Sequence, residues 1–341
     1  MRAFIEIDGA EGGGSVLRVG IGLAAALQVP VRVVNIRGGR KDPGLRHQHL
    51  AGLLATAKLC NAQLEGAKLG SREITLIPKA ITPPRKLNVE IPTAGAIGLV
   101  LQPLQIACLS AHHEIEVQLN GGGTFGKWAP PLPYLEKVNF ALLSRCGYLA
   151  QIQTERHGFY PKGGARVRAH FNMPQIHGPL RWDERGSMKN IQGLSFAVQA
   201  LRDARVAERQ AEAAHSVLQN VFPEVSIYIS PQYVESDSIG SAVVLWASFE
   251  KTILGADILG ERGVPSERIG QQAAEKLIKE LHSQATLDVH MADQVIPFLA
   301  IYGGSFRCRE ITDHIRINLA IAQQIAERRF TQEDARISCE F

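Results

Sequence analysis

The sequence has few cysteines, and they follow no pattern. The five are Cys60, Cys108, Cys146, Cys308 and Cys339, an odd number, widely spaced and without a Cys-x-x-Cys pair. Disulfide frameworks and thiolate zinc sites are built from paired, closely spaced cysteines, so the sequence argues against both. We expect reduced thiols.

Long hydrophobic runs are also lacking. The apolar run around Gly20 to Val29 is interrupted well before the roughly 20 residues that a membrane-spanning helix needs. Glu6 and Asp8 occupy positions where a secretory signal would keep an apolar core. We therefore predict a cytoplasmic protein with no membrane partner.

The chain has no strong excess of charge of either sign. It carries 37 Lys and Arg against 33 Asp and Glu, a net charge of +4 over 341 residues. Affinity for a polyanion depends on a local basic patch, so this total alone does not indicate a nucleic-acid partner. With 45% apolar residues the chain can bury a large core, which excludes disordered and fibrous classes.

What the sequence does contain is a recurring pattern of helix, strand, helix and further strands. The pattern appears three times, and the third copy is predicted as the helix Met291–Tyr302, the strand Ser305–Ile311, the helix Asp313–Arg328 and the strand Ala335–Phe341. The stretch between the second and third copies has its own alternation of strands and helices. The predicted elements are the strand Ile191–Ala200, the helix Val206–Val221, the strands Ser226–Ile229 and Ala242–Phe249, and the helix Ser266–His282. These patterns predict an α/β fold of the α+β type, with domain boundaries at 1–181, 182–280 and 281–341 and the middle segment inserted as a smaller α/β domain.

The first chemical signal is a glycine loop, Gly12-Gly13-Gly14, between a strand and a helix that carries Arg18. Such a loop can bring backbone N–H groups and a helix N-terminus up to phosphate. The alternative is a flexible strand-to-helix turn. The spacing does not fit Gly-x-Gly-x-x-Gly, because the last glycine position falls on Leu17.

A second signal is a basic loop that leads into a helix. It contains Arg37, Arg40, Lys41 and Arg46. Arginine side chains bind phosphate oxygens in a bidentate manner, although a solvated surface loop would have the same composition. The helix that follows starts with His47, Gln48 and His49, and the two histidines face different sides, which argues against a metal site made from that pair.

The stretch Gly121–Lys127 imitates a nucleotide-binding P-loop. It matches Gly-x-x-x-x-Gly-Lys, but Trp128 follows where a P-loop needs Ser or Thr. We interpret it as a rigid loop beside a cleft.

His314 lies at the predicted start of a helix. The helix dipole there favours the neutral imidazole, which is the form that can attack phosphorus. A histidine that helps to cap the helix is an equally good interpretation. Cys308, six residues earlier, would allow a Cys–His dyad, but no spacing signature supports one.

Taken together and in order, these segments resemble the RNA 3′-terminal phosphate cyclases over essentially the whole chain. The matching stretches are Glu11–Gly14 through Arg18, Arg37 with Arg40, Pro43–Leu50, Leu64–Ser71, Val100–Gln102, His157–Pro161 with Gly163 and Gly164, Val206–Arg209, Ala292–Gln294, and His314 with Asn318.

The resemblance implies three β-α-β-α-β-β units in a large domain with a smaller α/β domain inserted. It also implies that ATP and Mg²⁺ or Mn²⁺ are used to convert an RNA 3′-phosphate end to a 2′,3′-cyclic phosphate through a histidine–AMP intermediate. The residues that it implies are His314 as nucleophile, Glu11 as metal ligand, Arg18, Arg37 and Arg40 as phosphate contacts, Gln48 and His49 at the border of the same site, and Gln102, His290, Met291, Ala292, Asp293 and Gln294 as nucleotide contacts. A homodimer is a possible assembly.

The sequence departs from the family pattern at several positions. The glycine loop is shorter before Glu11, His290 stands where a tyrosine is common, Phe125 and Trp128 replace small polar residues, and Ala165 replaces a glycine. Two alternatives stay open: a cyclase-like RNA-binding scaffold without catalysis, and an enolpyruvyl transferase built from similar units. The presence of His314 counts against the scaffold.

Overall fold

The structure is a computed structural model that describes residues 4–79, 84–127 and 129–340. Trp128 and the predicted strand's last residue, Phe341, lie outside the described residues.

The first unit is a four-stranded sheet with two helices. Its elements are β1 (Ile5–Asp8), α1 (Gly14–Leu27), β2 (Val31–Val34), α2 (His47–Leu59), β3 (Gln63–Glu65) and β4 (Ile74–Ile77). β1 is parallel to β2, and the other neighbours are antiparallel, in the order β1-β2-β4-β3. Val31 and Val33 are buried while Arg32 between them is exposed, as expected for a sheet with helices on one face.

The second unit repeats this arrangement. Its elements are β5 (Lys86–Ala96), α3 (Ile97–Ala107), β6 (Ile115–Gly123), a helical segment made of α4 (Leu132–Tyr134), a π-helical turn (Leu135–Phe140) and α5 (Ala141–Ser144), and then β7 (Ala150–Arg156) and β8 (Arg166–Phe171). The strand order is β5-β6-β8-β7, so the first, second, fourth and third strands of the unit again lie side by side.

After β9 (Leu180–Trp182), a strand that belongs to the third unit described below, the chain forms a separate four-stranded sheet. Its elements are β10 (Met188–Val198), α6 (Val206–Val221), β11 (Ile227–Val234), β12 (Ser241–Phe249), β13 (Ile253–Leu259) and α7 (Ser266–Leu281). The strand order is β11-β10-β12-β13, and α6 and α7 pack on one face of this sheet around a separate apolar core. We call this part the inserted unit.

The third unit contains α8 (Val289–Gln294), α9 (Ile296–Tyr302), β14 (Gly304–Arg307), α10 (Asp313–Ala326), β15 (Arg329–Glu333) and β16 (Arg336–Glu340). Its sheet has the order β15-β16-β14-β9, with β9 parallel to β14. The third copy therefore begins before the insertion rather than after it, and the predicted boundary between 181 and 182 falls within β9.

Three predicted elements of the third copy are wrong in their extent. The strand predicted over Ser305–Ile311 is β14, which starts at Gly304 and ends at Arg307. The helix predicted over Met291–Tyr302 is two helices that meet at Val295, and Pro297, which has no N–H to donate, lies in the first turn of the second. The helix predicted to reach Arg328 ends at Ala326, because Glu327 adopts a left-handed conformation and β15 starts two residues later.

The three repeated units share one large apolar core, which also includes Val244, Trp246 and Ile253 of the inserted unit. This confirms the predicted α/β class, with three sheets of identical strand order. The division into domains stays a prediction. Among the described residues, no helix is long and apolar enough to cross a membrane.

One buried carboxylate joins three of these parts. Asp288, fully buried before α8, accepts hydrogen bonds at Oδ1 from the Tyr134 hydroxyl (2.6 Å) and the backbone N–H groups of His290 (3.0 Å) and Met291 (3.1 Å). Its Oδ2 accepts from the backbone N–H of Gly255 in β13 (2.8 Å). It thus caps α8 and ties that helix to the second unit and to the inserted unit.

We expect Asp288→Ala to lower the free energy of unfolding by about 3 kcal/mol, because it removes a helix cap and leaves several buried donors without an acceptor. Asp288→Asn keeps an oxygen at one position and should lose less than the Ala variant. Urea unfolding measures both, with the exposed Asp203 changed to Ala as the control. An Asp288→Ala protein as stable as the control would contradict this role.

Candidate active site

The glycine loop packs closely against its surroundings. Gly12 and Gly13 have φ angles of 74° and 61°. A Cβ atom on Gly12 would lie 2.8 Å from the Ile317 side chain of α10, and one on Gly13 would lie 3.1 Å from Nη2 of Arg40. A Cβ on Gly14 would collide with Nε2 of His49. Only glycine permits these approaches, so this is a tightly packed loop and not a flexible turn.

Two cavities meet at His314. The inner cavity, about 370 Å³, is lined by Arg18, Gly98, Leu99, Gln102, Gly126, Ala129, Pro130, Leu135, Asp257, Ile258, Leu259, Lys276, His290, Asp293, Gln294 and His314. The outer cavity, about 800 Å³, is lined by Ala10, Glu11, Gly12, Gly13, Gly39, Arg40, Thr312, Asp313, His314, Arg316, Ile317 and Ala320. Within the described part of the chain, His314 is the one residue that lines both.

His314 lies in the first turn of α10. Thr312 caps this helix, since its side-chain oxygen accepts a hydrogen bond from the backbone N–H of Ile315 (3.2 Å). Partial burial, together with the positive charges of Arg18 and Arg40, lowers the pKa of His314 below its ordinary value of 6.5. The imidazole is therefore mostly neutral at pH 7, which keeps a nitrogen lone pair available as a nucleophile.

Arg18 lies at the wall of the inner cavity. Its Nε donates a hydrogen bond to Oε1 of Gln102 (2.6 Å), and burial lowers its pKa to about 10, which leaves it charged at neutral pH. Burial raises the pKa of the nearby Asp293 to about 7, against the opposing effect of Arg18. Arg18 therefore faces the cavity with a positive charge that Asp293 only partly neutralises near pH 7.

A buried amide network fixes Gln294. Oε1 of Gln294 accepts from Nδ2 of Asn139 (3.0 Å), and Oδ1 of Asn139 accepts from Nε2 of Gln105 (2.7 Å). Asn139 lies in the π-helical turn, a distortion that often marks functional positions. Because its oxygen is engaged, Gln294 has its N–H₂ group left to donate in the inner cavity.

His290 also lines the inner cavity, among charged groups that the sequence did not reveal. Its Nε2 lies 3.1 Å from Nζ of Lys276 and 3.5 Å from Oδ1 of Asp257. Burial, followed by the charge of Lys276, lowers the pKa of His290, which favours its neutral form. Asp257 and Lys276 come from β13 and α7 of the inserted unit, so this unit contributes two charged side chains to the site.

The residues of the basic loop separate into two groups. Arg40 is exposed on the outer cavity. Arg37, with a φ of 55°, donates from Nη1 to the carbonyl oxygens of Asp42 (2.7 Å) and Gly44 (2.9 Å), and so holds the loop itself. Its predicted contact with phosphate stays a prediction.

Gln48 and His49 lie behind the cavities as supports. Oε1 of Gln48 accepts from the backbone N–H of Ala96 (3.0 Å), and Nδ1 of His49 accepts from the backbone N–H of Arg46 (3.2 Å). Burial and the charge of Arg18 lower the pKa of His49 to about 3, so its ring is neutral. Neither side chain lines the inner or the outer cavity, and their predicted place at the border of the site stays a prediction.

Met291 and Ala292 are fully buried in the large core. Their side chains do not line the inner cavity, in contrast to those of the adjacent His290 and Asp293. Their contact with a nucleotide stays a prediction, and such a contact would have to be made by their backbone groups.

Glu11 is exposed on the outer cavity, which Asp313 also lines. No group of three or more metal-ligating side chains occurs among the described residues. Mg²⁺ is usually bound by one or two carboxylates together with waters and substrate phosphates, so this oxygen donor set fits such an ion. The metal role of Glu11 stays a prediction.

Two further expectations are settled by the structure. Cys308 is buried, burial raises its pKa to about 11, and its Sγ donates to the carbonyl oxygen of Ala335 (3.5 Å), so a reactive Cys–His dyad is wrong. The first three residues of the P-loop-like segment, 121–123, are the end of β6, and the part that follows is a loop beside a cleft, because Gly126, Ala129 and Pro130 line the inner cavity.

The fold and the site define a protein with three repeated α/β units and a histidine between two cavities. Comparison with known proteins gives the family. The family model described as RNA 3′-terminal phosphate cyclase matches residues 9–332. The chain belongs to the RNA 3′-terminal phosphate cyclase family.

Individual relatives agree in length. The chain is 40% identical over 328 residues to the RNA 3′-terminal phosphate cyclase of Pyrococcus abyssi, with 96% of this chain and 94% of the relative covered. It is 41% identical over 322 residues to that of Pyrococcus furiosus (94% and 92% covered). It is 38% identical over 331 residues to that of Methanopyrus kandleri (94% and 93% covered).

The raised pKa of Asp293 predicts a pH dependence of stability. Its folded pKa of about 7 lies above its ordinary 3.8, so the stabilisation by the bound proton is fully present below about pH 4 and is lost as the pH rises through 7. Asp293→Asn, which cannot lose that proton, should become more stable relative to the native chain between pH 4 and pH 8 by at least about 1 kcal/mol. Urea unfolding at both pH values measures this, with Asp203→Asn as the control; equal pH profiles would contradict it.

Proposed function

We propose that the protein catalyses the ATP-dependent conversion of an RNA 3′-phosphate end to a 2′,3′-cyclic phosphate through a covalent His314–AMP intermediate, with release of AMP and diphosphate. The observation that carries this is the position of His314, which lines both cavities. A nucleophile that takes AMP from one substrate and passes it to another must be reached by both. Family membership supports the same reaction.

The two cavities suit different parts of the substrates. The inner cavity is walled by apolar residues such as Leu99, Pro130 and Ile258 and carries the amides of Gln102 and Gln294, which suits a nucleoside. The outer cavity is larger and has Arg40 and Glu11, which suits phosphates and an RNA end. We assign the nucleoside of ATP to the inner cavity and the diphosphate and the RNA end to the outer one.

In the first step a neutral imidazole nitrogen of His314 attacks the α-phosphorus of ATP. The new N–P bond forms as the bond from that phosphorus to the β-phosphate oxygen breaks, and diphosphate leaves. Arg18 and Arg40 are the cations that also lower the pKa of His314, and they stabilise the charge that develops on the phosphate oxygens. Glu11 and Asp313 would hold Mg²⁺ or Mn²⁺, which supplies charge neutralisation of the departing diphosphate.

In the second step an oxygen of the RNA 3′-phosphate attacks the same phosphorus, and the N–P bond breaks to regenerate His314. The neighbouring ribose 2′-hydroxyl then attacks the activated RNA phosphate, loses its proton and expels AMP. Because that hydroxyl is held beside the phosphate, the step benefits from an effective molarity of about 10⁵–10⁸ M. The need for a 2′-hydroxyl selects RNA over DNA.

The alternatives gain no observation in their favour. A scaffold without catalysis has no need for a neutral histidine exposed between two cavities beside two arginines. An enolpyruvyl transferase would form no covalent AMP adduct, so the labelling experiment below also separates the two enzymes.

Protein incubated with α-labelled ATP and Mg²⁺ or Mn²⁺, without RNA, should become covalently labelled. The bond should be labile to acid and stable to alkali, as a phosphoramidate is, and His314→Ala should abolish the label. The matched control is His112→Ala, which changes an exposed histidine outside both cavities. Label that persists in His314→Ala would remove the assigned nucleophile.

The basic loop offers a paired test. Arg40→Ala should slow adenylation by roughly 10²-fold or more with little change in the melting temperature, because Arg40 is exposed on the outer cavity. Arg37→Ala should instead lower the melting temperature, because Arg37 holds two carbonyl groups of its own loop. Thermal unfolding and single-turnover labelling distinguish them. An Arg40→Ala protein that loses stability and activity in parallel would make Arg40 structural.

A further inference from the structure

The sheet of the inserted unit is covered unequally on its two faces. α6 and α7 cover one face through the core that contains Ile191, Leu245 and Leu277. On the opposite face the helical segment 132–144 packs over β13, where a Cβ on Gly255 would lie 2.6 Å from the Val138 side chain. Toward the edge strand β11 the cover ends, and Tyr228 has 65% of its surface exposed.

A groove of about 490 Å³ lies between this open face and the helical segment. We call it the sheet groove, and its main groups are Lys137 and Arg145 on the helical side and Gln192, Tyr228 and Trp246 on the sheet. Strand register places Tyr228 beside Gln192 and Gln192 beside Trp246, so the three side chains form a row across β11, β10 and β12. Two strand spacings separate the aromatic rings, roughly 10 Å.

The hydrogen bonds of the row leave donors facing the groove. Oε1 of Gln192 accepts from Nε1 of Trp246 (3.2 Å), so the orientation of the amide is fixed and its N–H₂ group is left to donate. The Tyr228 ring, exposed at the sheet edge, offers a flat surface for stacking.

The charge of the sheet groove is positive. Lys137 and Arg145 line it, and no carboxylate among the described residues does, whereas the inner and outer cavities each contain two. The Lys137 ammonium lies 2.6 Å from the adjacent Glu136 carboxylate. Arg145 donates from Nη1 to the carbonyl oxygens of Phe249 and Glu250, which fixes the guanidinium at the groove.

We infer that the sheet groove binds single-stranded RNA upstream of the 3′ end, with a base stacked on Tyr228 and the RNA backbone held by Lys137 and Arg145. An aromatic ring exposed on a sheet face beside cations is a common way to bind single-stranded RNA, because every base has a face that can stack. Here that ring is Tyr228, since Trp246 is buried. This inference rests on the proposed function only for the identity of the polymer.

The sheet groove and the inner cavity share one sheet face. Register places Ser230 beside Leu194, Leu194 beside Val244 and Val244 beside Asp257. Ser230 lines the groove and Asp257 lines the inner cavity, three strand spacings or roughly 14 Å apart. The direct path along this face is closed, because Val244 is fully buried in the large core, and the inner cavity is assigned to the nucleoside of ATP. The RNA of this inference therefore passes from the groove over the protein surface to the outer cavity, which His314 also lines.

The test compares long and short substrates. Tyr228→Ala should raise the KM for a single-stranded 20-nucleotide RNA 3′-phosphate about tenfold with kcat unchanged, because one stacking contact is lost. The KM for a dinucleotide 3′-phosphate and the rate of AMP labelling should not change. Tyr228→Phe, which keeps the ring, should behave as the native chain does. Val221→Ala, at the end of α6, is the control for loss of an exposed apolar group.

Direct binding separates this inference from the proposed chemistry. Fluorescence anisotropy with a single-stranded RNA that ends in a 3′-hydroxyl needs no reaction, and Tyr228→Ala should weaken that binding by the same factor. Lys137→Ala should lower the slope of log affinity against log salt by about 0.7. If the native chain binds this RNA through Tyr228 but is never labelled with AMP, the proposed function is wrong and the inference about the groove stands. Unchanged RNA binding in Tyr228→Ala, equal loss in Tyr228→Phe, or competition by poly-glutamate as strong as by RNA would overturn the groove.

Discussion

The arrangement of the site depends on one buried carboxylate. Asp288 is a fully buried polar group, which is costly to remove from water, and four hydrogen-bond donors from three parts of the chain compensate that cost. Because Gly255 and Tyr134 are among those parts, the inserted unit and the helical segment 132–144 cannot shift independently of α8. By capping α8, Asp288 helps to fix the positions of His290 and Asp293 in the wall of the inner cavity.

The chemistry of the site rests on keeping an imidazole neutral among cations. His314 lies at the positive end of a helix with Arg18 and Arg40 as the charges that most depress its pKa after burial. The same field that disfavours a proton on His314 favours an incoming phosphate. Asn318, one turn further along α10, donates from Nδ2 to the backbone oxygen of Asp293 (3.1 Å) and accepts from Ser15 of α1 (2.8 Å), so α1, α8 and α10 hold a fixed relation around the histidine.

Much of the fold could be predicted because the spacing of apolar residues within a single segment indicates a helix or a strand. In α6 the buried residues Ala207, Ala211, Ala214 and Leu218 follow the helical period, and both ends of that helix are predicted correctly. In β13 buried and exposed residues do not alternate, because Ile253 to Ala256 are all buried. The strand therefore lacks the pattern of a half-buried strand, and it is absent from the predicted elements. The site shows the same contrast. His314 and Arg40 belong to recognisable stretches, whereas Asp257 and Lys276 reach the inner cavity only through tertiary packing and have no spacing that the sequence could reveal.

The split third unit constrains how the chain is made. β9 is synthesised before the inserted unit but pairs with β14, which follows that unit, and Ser305 donates a hydrogen bond to Asp183, 122 positions earlier in the chain. Such long-range closure is slow, and an unpaired strand is exposed meanwhile to neighbouring chains. The inserted unit, with its own apolar core, can fold in this interval as translation proceeds. The sheet beside α10 is complete only when β14 has paired with both β9, which precedes the inserted unit, and β16, which follows it.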